Sequence, residues 1–254
     1  MTSPTHCLLI HERVDGDRTG GPAWLQQVPS MMAAGNPAIG AGCVHDVPAS
    51  AMDMQADTAI DWRFETPRVR ARLIDINDRD LYRNLYTDPA VMAHIGPAMN
   101  AAAADALFEK VLGWNSEWPM RARFWRMAEA SDSPIGLCSI TRRKIAPDRI
   151  ELGQMILPQR QSQRFGMEVA LWFIDSLMSD RWGLGADDLI AHNIAANTRV
   201  NRIGVRLGFE QLGKDADAGH QETWRLTHAA WLANQLAWRS KLRTFSRHSE
   251  TYPA

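Results

Sequence analysis

The sequence predicts a mixed α/β fold: one twisted, mostly antiparallel sheet with helices on both faces. Three observations predict it. Beyond residue 60, segments of two-residue alternation and segments of helical apolar spacing follow in the order strand, helices, three strands, helix, strand, helix, strand. The three central strands are joined by links too short for a crossover, so they form an antiparallel meander. The later elements alternate between strand and helix, which calls for helices packed on both sides of the sheet.

Each element has its own justification. Residues 68–74 (R-V-R-A-R-L-I) alternate polar and apolar, as a half-buried strand does. Asn77 or Asp78 is placed to cap a helix carrying Leu81, Tyr82 and Leu85, which should stop near Asp88-Pro89. Val91, Met92 and Ile95 make a short helical turn before Gly96-Pro97. A helix over residues 101–114 places Leu107, Val111 and Trp114 on one face. Strands follow over 124–130, 135–142 and 150–157, linked at Ser131-Asp132-Ser133-Pro134 and at Pro147-Asp148. A polar loop leads into an apolar-faced helix over 166–179, and 189–194 reads as a short strand. Asn197 caps a helix with Val200, Ile203 and Leu207, ended by Gly208. Residues 223–227 form a last strand before a helix containing Trp231.

Composition sets the boundaries. Among 254 residues, 45% are hydrophobic and 22% charged, which is ordinary for a globular chain. Residues 1–60 hold 6 Gly and 5 Pro with little apolar periodicity, so they are expected to be a flexible extension. Residues 61–240 form the domain, and 241–254 are a polar tail. A net charge of -1 argues against a dedicated nucleic-acid binder. Cys7, Cys43 and Cys138 have neither disulfide-framework nor zinc spacing, so no metal is expected. Cys138 sits in an apolar run and reads as a small core side chain. With no signal-peptide pattern and no apolar run of ~18 residues, a cytoplasmic protein without a membrane partner is expected.

The chemistry concentrates in residues 151–168, E-L-G-Q-M-I-L-P-Q-R-Q-S-Q-R-F-G-M-E. A strand enters a polar loop, and the loop enters a helix. The first N–H groups of that helix lack internal partners and its dipole favours an anion, which makes the junction a candidate phosphate site.

Together with what surrounds it, this segment resembles the GNAT superfamily of acyl-CoA-dependent N-acetyltransferases, and within it the ribosomal-protein N-terminal acetyltransferase-like branch. Thr66-Pro67-Arg68-Val69-Arg70-Ala71-Arg72-Leu73 resembles the opening strand, and Asp88-Pro89-Ala90-Val91-Met92 the helix break. Ile135-Gly136, then Ile150-Glu151-Leu152-Gly153 with Leu157, are similar to the third and fourth strands. Asn197 followed by Leu207-Gly208-Phe209 resembles the last motif. The likeness covers residues 62–228 and implies a GNAT-like sheet, acetyl-CoA as co-substrate and a primary amine as acceptor. That acceptor is a protein N-terminus or a small molecule such as an aminoglycoside or polyamine, and the protein is a monomer or homodimer.

The resemblance also implies site residues. Its pyrophosphate loop, Gln/Arg-x-x-Gly-x-Gly/Ala, falls on Gln161-Ser162-Gln163-Arg164-Phe165-Gly166, with Arg164 where the family has glycine. The cofactor-binding set is then Met155, Ile156 and Leu157 for the pantetheine arm, Gln161, Ser162, Gln163, Arg164, Phe165, Gly166 and Met167 for the phosphates, and Asn197. Glu151 is the candidate general base, since the substrate ammonium must lose a proton before its nitrogen can attack and a carboxylate can relay that proton through water. His192 is the other titratable candidate, although alternation groups it with Ile190 and Ile194 as a packed residue. Val200 stands where the branch often has Ser, and the Asn197 helix carries no Tyr to protonate the thiolate. Trp114, Trp118 and Trp125 are either acceptor wall or core. These departures leave a second function open: a non-catalytic CoA-sensing or protein-interaction domain.

Overall fold

The computed structural model describes residues 60–143, 146–214 and 221–248, together with a two-residue strand β1 (Cys7–Leu8). The other strands are β2 (Phe64–Glu65), β3 (Arg70–Leu73), β4 (Ala122–Ala128), β5 (Pro134–Arg143), β6 (Ala146–Ile156), β7 (Asp188–Ile194), β8 (Glu210–Lys214) and β9 (Gln221–Thr227). The α-helices are α1 (Arg79–Thr87), α2 (Pro89–Met92), α3 (Ala101–Trp114), α4 (Phe165–Met178), α5 (Thr198–Arg206) and α6 (His228–His248).

The strands form one sheet in the order β2-β3-β4-β5-β6-β7-β9-β8, and β1 pairs with β6 beside this path. The expected fold class is the observed one: mixed α/β, mostly antiparallel, with helices on both faces. Among the described strands the one parallel pairing is β6 with β7.

Local chemistry starts and stops the helices. Asp75 opens a capping box ahead of α1, accepting from Asn77 N at 2.8 Å. That box caps the 3₁₀ turn Ile76–Asp78, and Asp78 holds the N-cap position of α1 as expected, but its side chain accepts from Asp75 N at 2.9 Å instead of bonding the first turn of α1. Its buried carboxylate takes the Arg72 guanidinium at 2.7 and 3.0 Å. Asp88 caps α2 through Ala90 N, with Pro89 in its first turn, and Asn100 caps α3 through Ala103 N. Gly208, at φ 83°, supplies the left-handed residue that closes α5.

Alternation along β6 divides the two cores. Met155 and Leu157 join Leu137 and Phe124 against Tyr82, Leu85, Met92, Phe108 and Val111 of the first three helices. The buried stripe of α3 is centred on Phe108, with Leu107 and Trp114 only partly buried at its edge. Trp125 points to the opposite face, where it packs with Trp62, Phe64, Phe173 and Trp182 beneath α4. That removes Trp125 from any acceptor wall on the α1–α3 side. Cys138 is buried, and burial pushes its thiol well up from the usual range, as an inert core residue requires.

Two strands, β2 and β8, escape sequence periodicity. The first has two residues, and the second runs E-Q-L-G-K along an exposed edge. The last helix continues past residue 240 to His248, since no Gly or Pro interrupts it and Arg239 pairs with Asp175 of α4. The expected flexible extension over residues 1–60 lies outside the described residues, apart from Cys7–Leu8 and Ile60.

Candidate active site

The site begins where two strands part. β6 and β7 run parallel through only three registered pairs, Arg149↔Asp188, Ile150↔Leu189 and Glu151↔Ile190. Beyond Glu151 the strands diverge: β6 continues with β5 on one edge, and β7 continues with β9 on its far edge. The result is a fork through the sheet. In this structure β1 lies against the open edge of β6, with Cys7 opposite Met155 and Leu8 opposite Gln154.

On one face the fork opens into a cleft of about 650 Å³. Leu152, Gln154 and Ile156 of β6 and Ala191 and Asn193 of β7 form its floor, while α4 and α5 make its walls. On the other face, at the base of the fork, Glu151 Oε1 lies 3.0 Å from His192 Nδ1, with both side chains buried. The rival candidates of the sequence are thus one hydrogen-bonded unit. A carboxylate can only accept, so Nδ1 carries the proton when the imidazole is neutral, and Nε2 holds the basic lone pair.

The loop between β6 and α4 has unusual backbone. After a 3₁₀ turn over Pro158–Arg160, Ser162 and Arg164 adopt left-handed φ values of 67° and 68°. Arg164 occupies the position where the resembled loop has glycine, and the φ explains that glycine: without a Cβ, the conformation is nearly free of cost. Among the described residues no side chain caps α4, so its first N–H groups face the cleft region unpaired by a cap. Gly166 brings that first turn close to the sheet. A Cβ there would stand 3.3 Å from Gln154 Oε1.

A buried carboxylate fixes the loop from behind. Glu168, in the first turn of α4, accepts from Thr66 Oγ1 at 2.6 Å, Arg68 N at 2.9 Å and Arg68 Nε at 2.7 Å. Arg68 also donates to the Gln163 carbonyl at 3.1 Å, and its guanidinium covers the Phe165 ring. This clamp ties the loop to the start of the sheet 100 residues earlier in the chain, so sequence periodicity does not reveal it.

The predicted residues are distributed as follows. Ile156, Gln161, Ser162, Arg164, Phe165, Gly166 and Met167 line the cleft. Gln163 lies beside it, its side chain donating to Gln159 O at 2.9 Å. Met155 and Leu157 direct their side chains into the α1–α3 core, leaving only backbone for a ligand in the fork. Asn197 is buried, caps α5 through Val200 N at 3.4 Å and donates to Asn193 Oδ1 at 3.3 Å; Asn193 lines the cleft from β7, as the carboxamides of Gln154 and Gln161 do from the other side. Sequence reasoning missed Asn193 and the arginines of α5. Arg199, Arg202 and Arg206 also line the cleft, and their i, i+3, i+7 spacing was the available signal.

Solved structures share this architecture. Apo FdhC, described as a nucleotide-linked sugar GNAT, is 14% identical, with 71% of this chain covering 98% of that one at a TM-score of 0.58. The spermidine N-acetyltransferase from Vibrio cholerae, solved with CoA and spermine, is 16% identical, covers 65% and 98% of the two chains, and has a TM-score of 0.53. A GCN5-related N-acetyltransferase from Brucella melitensis is 18% identical over 72% of this chain and 86% of that one, at a TM-score of 0.56. No curated protein matches the sequence. The fold is therefore that of the GNAT acetyltransferases. Residues 68–210 match the family described as "Acetyltransferase (GNAT) domain", and the chain belongs to that family. Membership makes acyl-CoA-dependent acetyl transfer its activity class, and acetyl-CoA is the donor that the family uses. Among the described residues there is no cluster of side chains able to hold a metal ion, and no helix is long and apolar enough to cross a membrane.

Proposed function

We propose that the protein transfers acetyl from acetyl-CoA to a primary amine, either a protein N-terminus or a small molecule, and that the thioester is threaded through the β6–β7 fork. The fork carries the reading. The arginine-lined cleft lies on one face of it and the Glu151–His192 pair on the other, so a ligand that passes between the two strands has its phosphates on one side and its acyl group at the dyad. The spermidine N-acetyltransferase among the structural neighbours supports an amine acceptor.

In this arrangement the pantetheine arm pairs with the backbone of Met155, Ile156 and Leu157 as an added strand. The pyrophosphate meets the loop from Gln161 to Arg164 and the N–H groups of Phe165, Gly166 and Met167. The amine nitrogen attacks the thioester carbonyl, a C–N bond forms, and the C–S bond breaks. The acceptor enters as the neutral amine, its ammonium having lost one proton to solvent. The proton that its nitrogen sheds as the C–N bond forms passes to Nε2 of His192, with Glu151 holding the ring and stabilising the imidazolium. Sulfur leaves as a thiolate and takes a proton from water, which suits a thiol whose ordinary pKa is about 8.5. Asn197 contributes by capping α5 and orienting Asn193 toward the cleft.

β1 and the pantetheine arm cannot both use the Met155 edge, so donor binding requires β1 to leave. Calorimetry with acetyl-CoA and a thiol-release assay over a panel of peptides, polyamines and aminoglycosides test the proposal. Binding with turnover on an amine is the expected result. Binding without turnover on any acceptor would instead favour a CoA-sensing domain.

A further inference from the structure

Sheet register brings two polar side chains beside the dyad on the face away from the cleft. His192 of β7 stands opposite Thr223 of β9, and Ile194 opposite Gln221. Trp224 lines the cleft, so alternation turns Thr223, and with it Gln221, to the face where Glu151 and His192 meet. Opposite residues on one face of an antiparallel pair have Cβ atoms about 4.5–5.5 Å apart, which makes Thr223 a direct neighbour of the imidazole.

Thr223 and Gln221 are only 9% and 4% exposed. Yet Thr223 Oγ1 and both polar atoms of the Gln221 carboxamide have no hydrogen-bond partner among the described residues. Burying such groups without a bond costs stability, and buried polar side chains in folded proteins are normally paired. The carboxamides behind the cleft follow that rule: Asn193 donates to Asn201 at 2.8 Å, and Asn197 to Asn193 at 3.3 Å. Gln221 and Thr223 break it, on the strand that flanks the base. A ligand held at His192 would complete both.

Their chemistry limits that ligand. A carboxamide donates and accepts at once, and a hydroxyl does either, so the pair suits an uncharged group that carries both N–H and C=O. Along β9 the two residues are roughly 7 Å apart, about the length of two extended residues. The carboxylates on this face of β6, β7 and β9 are already committed. Glu151 holds His192 at 3.0 Å, and Asp188, at the closed end of the fork, lies 3.9 Å from both Arg149 and Arg225. A second ammonium would therefore enter a buried site with no free anion among these side chains to offset its lost hydration.

We propose that Thr223 and Gln221 are acceptor-positioning residues that bond the first peptide units of the acceptor while its nitrogen meets His192, so that a peptide N-terminus is preferred to a polycationic amine. This rests on the reading of the dyad as the site of acetyl transfer. Thr223 donates to the first carbonyl, and the Gln221 carboxamide pairs with the peptide unit that follows.

The test measures thiol release by the full chain with acetyl-CoA and three acceptors: a tripeptide amide with a free N-terminus, spermidine and an aminoglycoside. The wild type is expected to favour the peptide in kcat/KM by at least about tenfold, the scale set by a lost hydrogen bond in a buried site. Gln221→Leu and Thr223→Val remove the polar atoms at nearly constant shape. Each should raise KM for the peptide about tenfold with kcat little changed and narrow the preference over spermidine, while calorimetry shows the same affinity for acetyl-CoA. Thr223→Ser keeps a hydroxyl and should retain the peptide KM. Neither apolar variant should lower the thermal midpoint followed by circular dichroism, since the atoms removed bond no described residue in the free protein. A wild type that prefers either polycation, or variants that lose all acceptors equally or melt earlier, would overturn the proposal and leave acetyl transfer standing. No thiol release with any of the three amines, acetyl-CoA being bound, would overturn transfer at the dyad and this proposal with it.

Discussion

Arg164 joins two physical effects that a pair of substitutions separates. Its backbone is left-handed at φ 68°, and its exposed side chain lines the cleft without a carboxylate partner among the described residues. A left-handed non-glycine residue carries roughly 1–2 kcal/mol of strain. Arg164→Gly removes that strain but frees the unfolded chain, which returns about 0.4–1 kcal/mol, so the net stabilisation should lie between about 0 and 1.6 kcal/mol. For a domain of this size each kcal/mol gained raises Tm by roughly 2–4 °C. Arg164→Ala keeps the strain, so its stability should match that of the wild type. Both variants lose the guanidinium, and a charge-assisted hydrogen bond to phosphate is worth about 1.5–3 kcal/mol, a factor of roughly 10–150 in Kd. Calorimetry with CoA and urea unfolding measure the two quantities independently. Unchanged affinity in Arg164→Ala, or tighter binding in Arg164→Gly, would refute the pairing and mark Arg164 as an obstruction.

Four further outcomes are expected. His192→Asn should lower kcat by about 10²-fold or more while leaving the Kd for CoA unchanged, and Glu151→Gln should lower it in the same sense; a shift in Kd alone would assign the pair to packing. Gly136→Ala should destabilise the sheet by several kcal/mol in urea unfolding, because its Cβ would fall 2.0 Å from the Met155 carbonyl oxygen, on backbone that cannot move aside. Glu168→Ala should cost about 3 kcal/mol of stability and weaken CoA binding, since it strands Arg68 and releases the phosphate loop. Deleting residues 1–12 should tighten CoA binding in calorimetry by freeing the Met155 edge from β1; equal affinity would show that strand and donor do not compete.

Much of the fold was legible because its signals are local. The cap at Asn197, the Asp88-Pro89 break and Gly208 act within a few residues, so helix ends follow from neighbouring side chains. The meander of β4, β5 and β6 was equally readable, since short turns dictate which strands pair. The cleft-lining loop from Gln161 to Gly166 could be located by resemblance, because its residues are contiguous. Sequence alone left Glu151 and His192 as competing candidates 41 residues apart, whereas the parallel pairing of β6 with β7 makes them partners. It was equally silent on Trp125, whose face depends on strand register, and on Glu168, whose partners lie across the sheet. The arginines of α5 follow a helical spacing in the chain, yet only the placement of α5 across the cleft from α4 turns that helix face into the wall of a phosphate-sized cleft. Local periodicity therefore determined which elements exist and roughly where they end. Which side chains meet was decided by register and layer packing, because those contacts depend on residues far apart in the chain that no short-range pattern encodes.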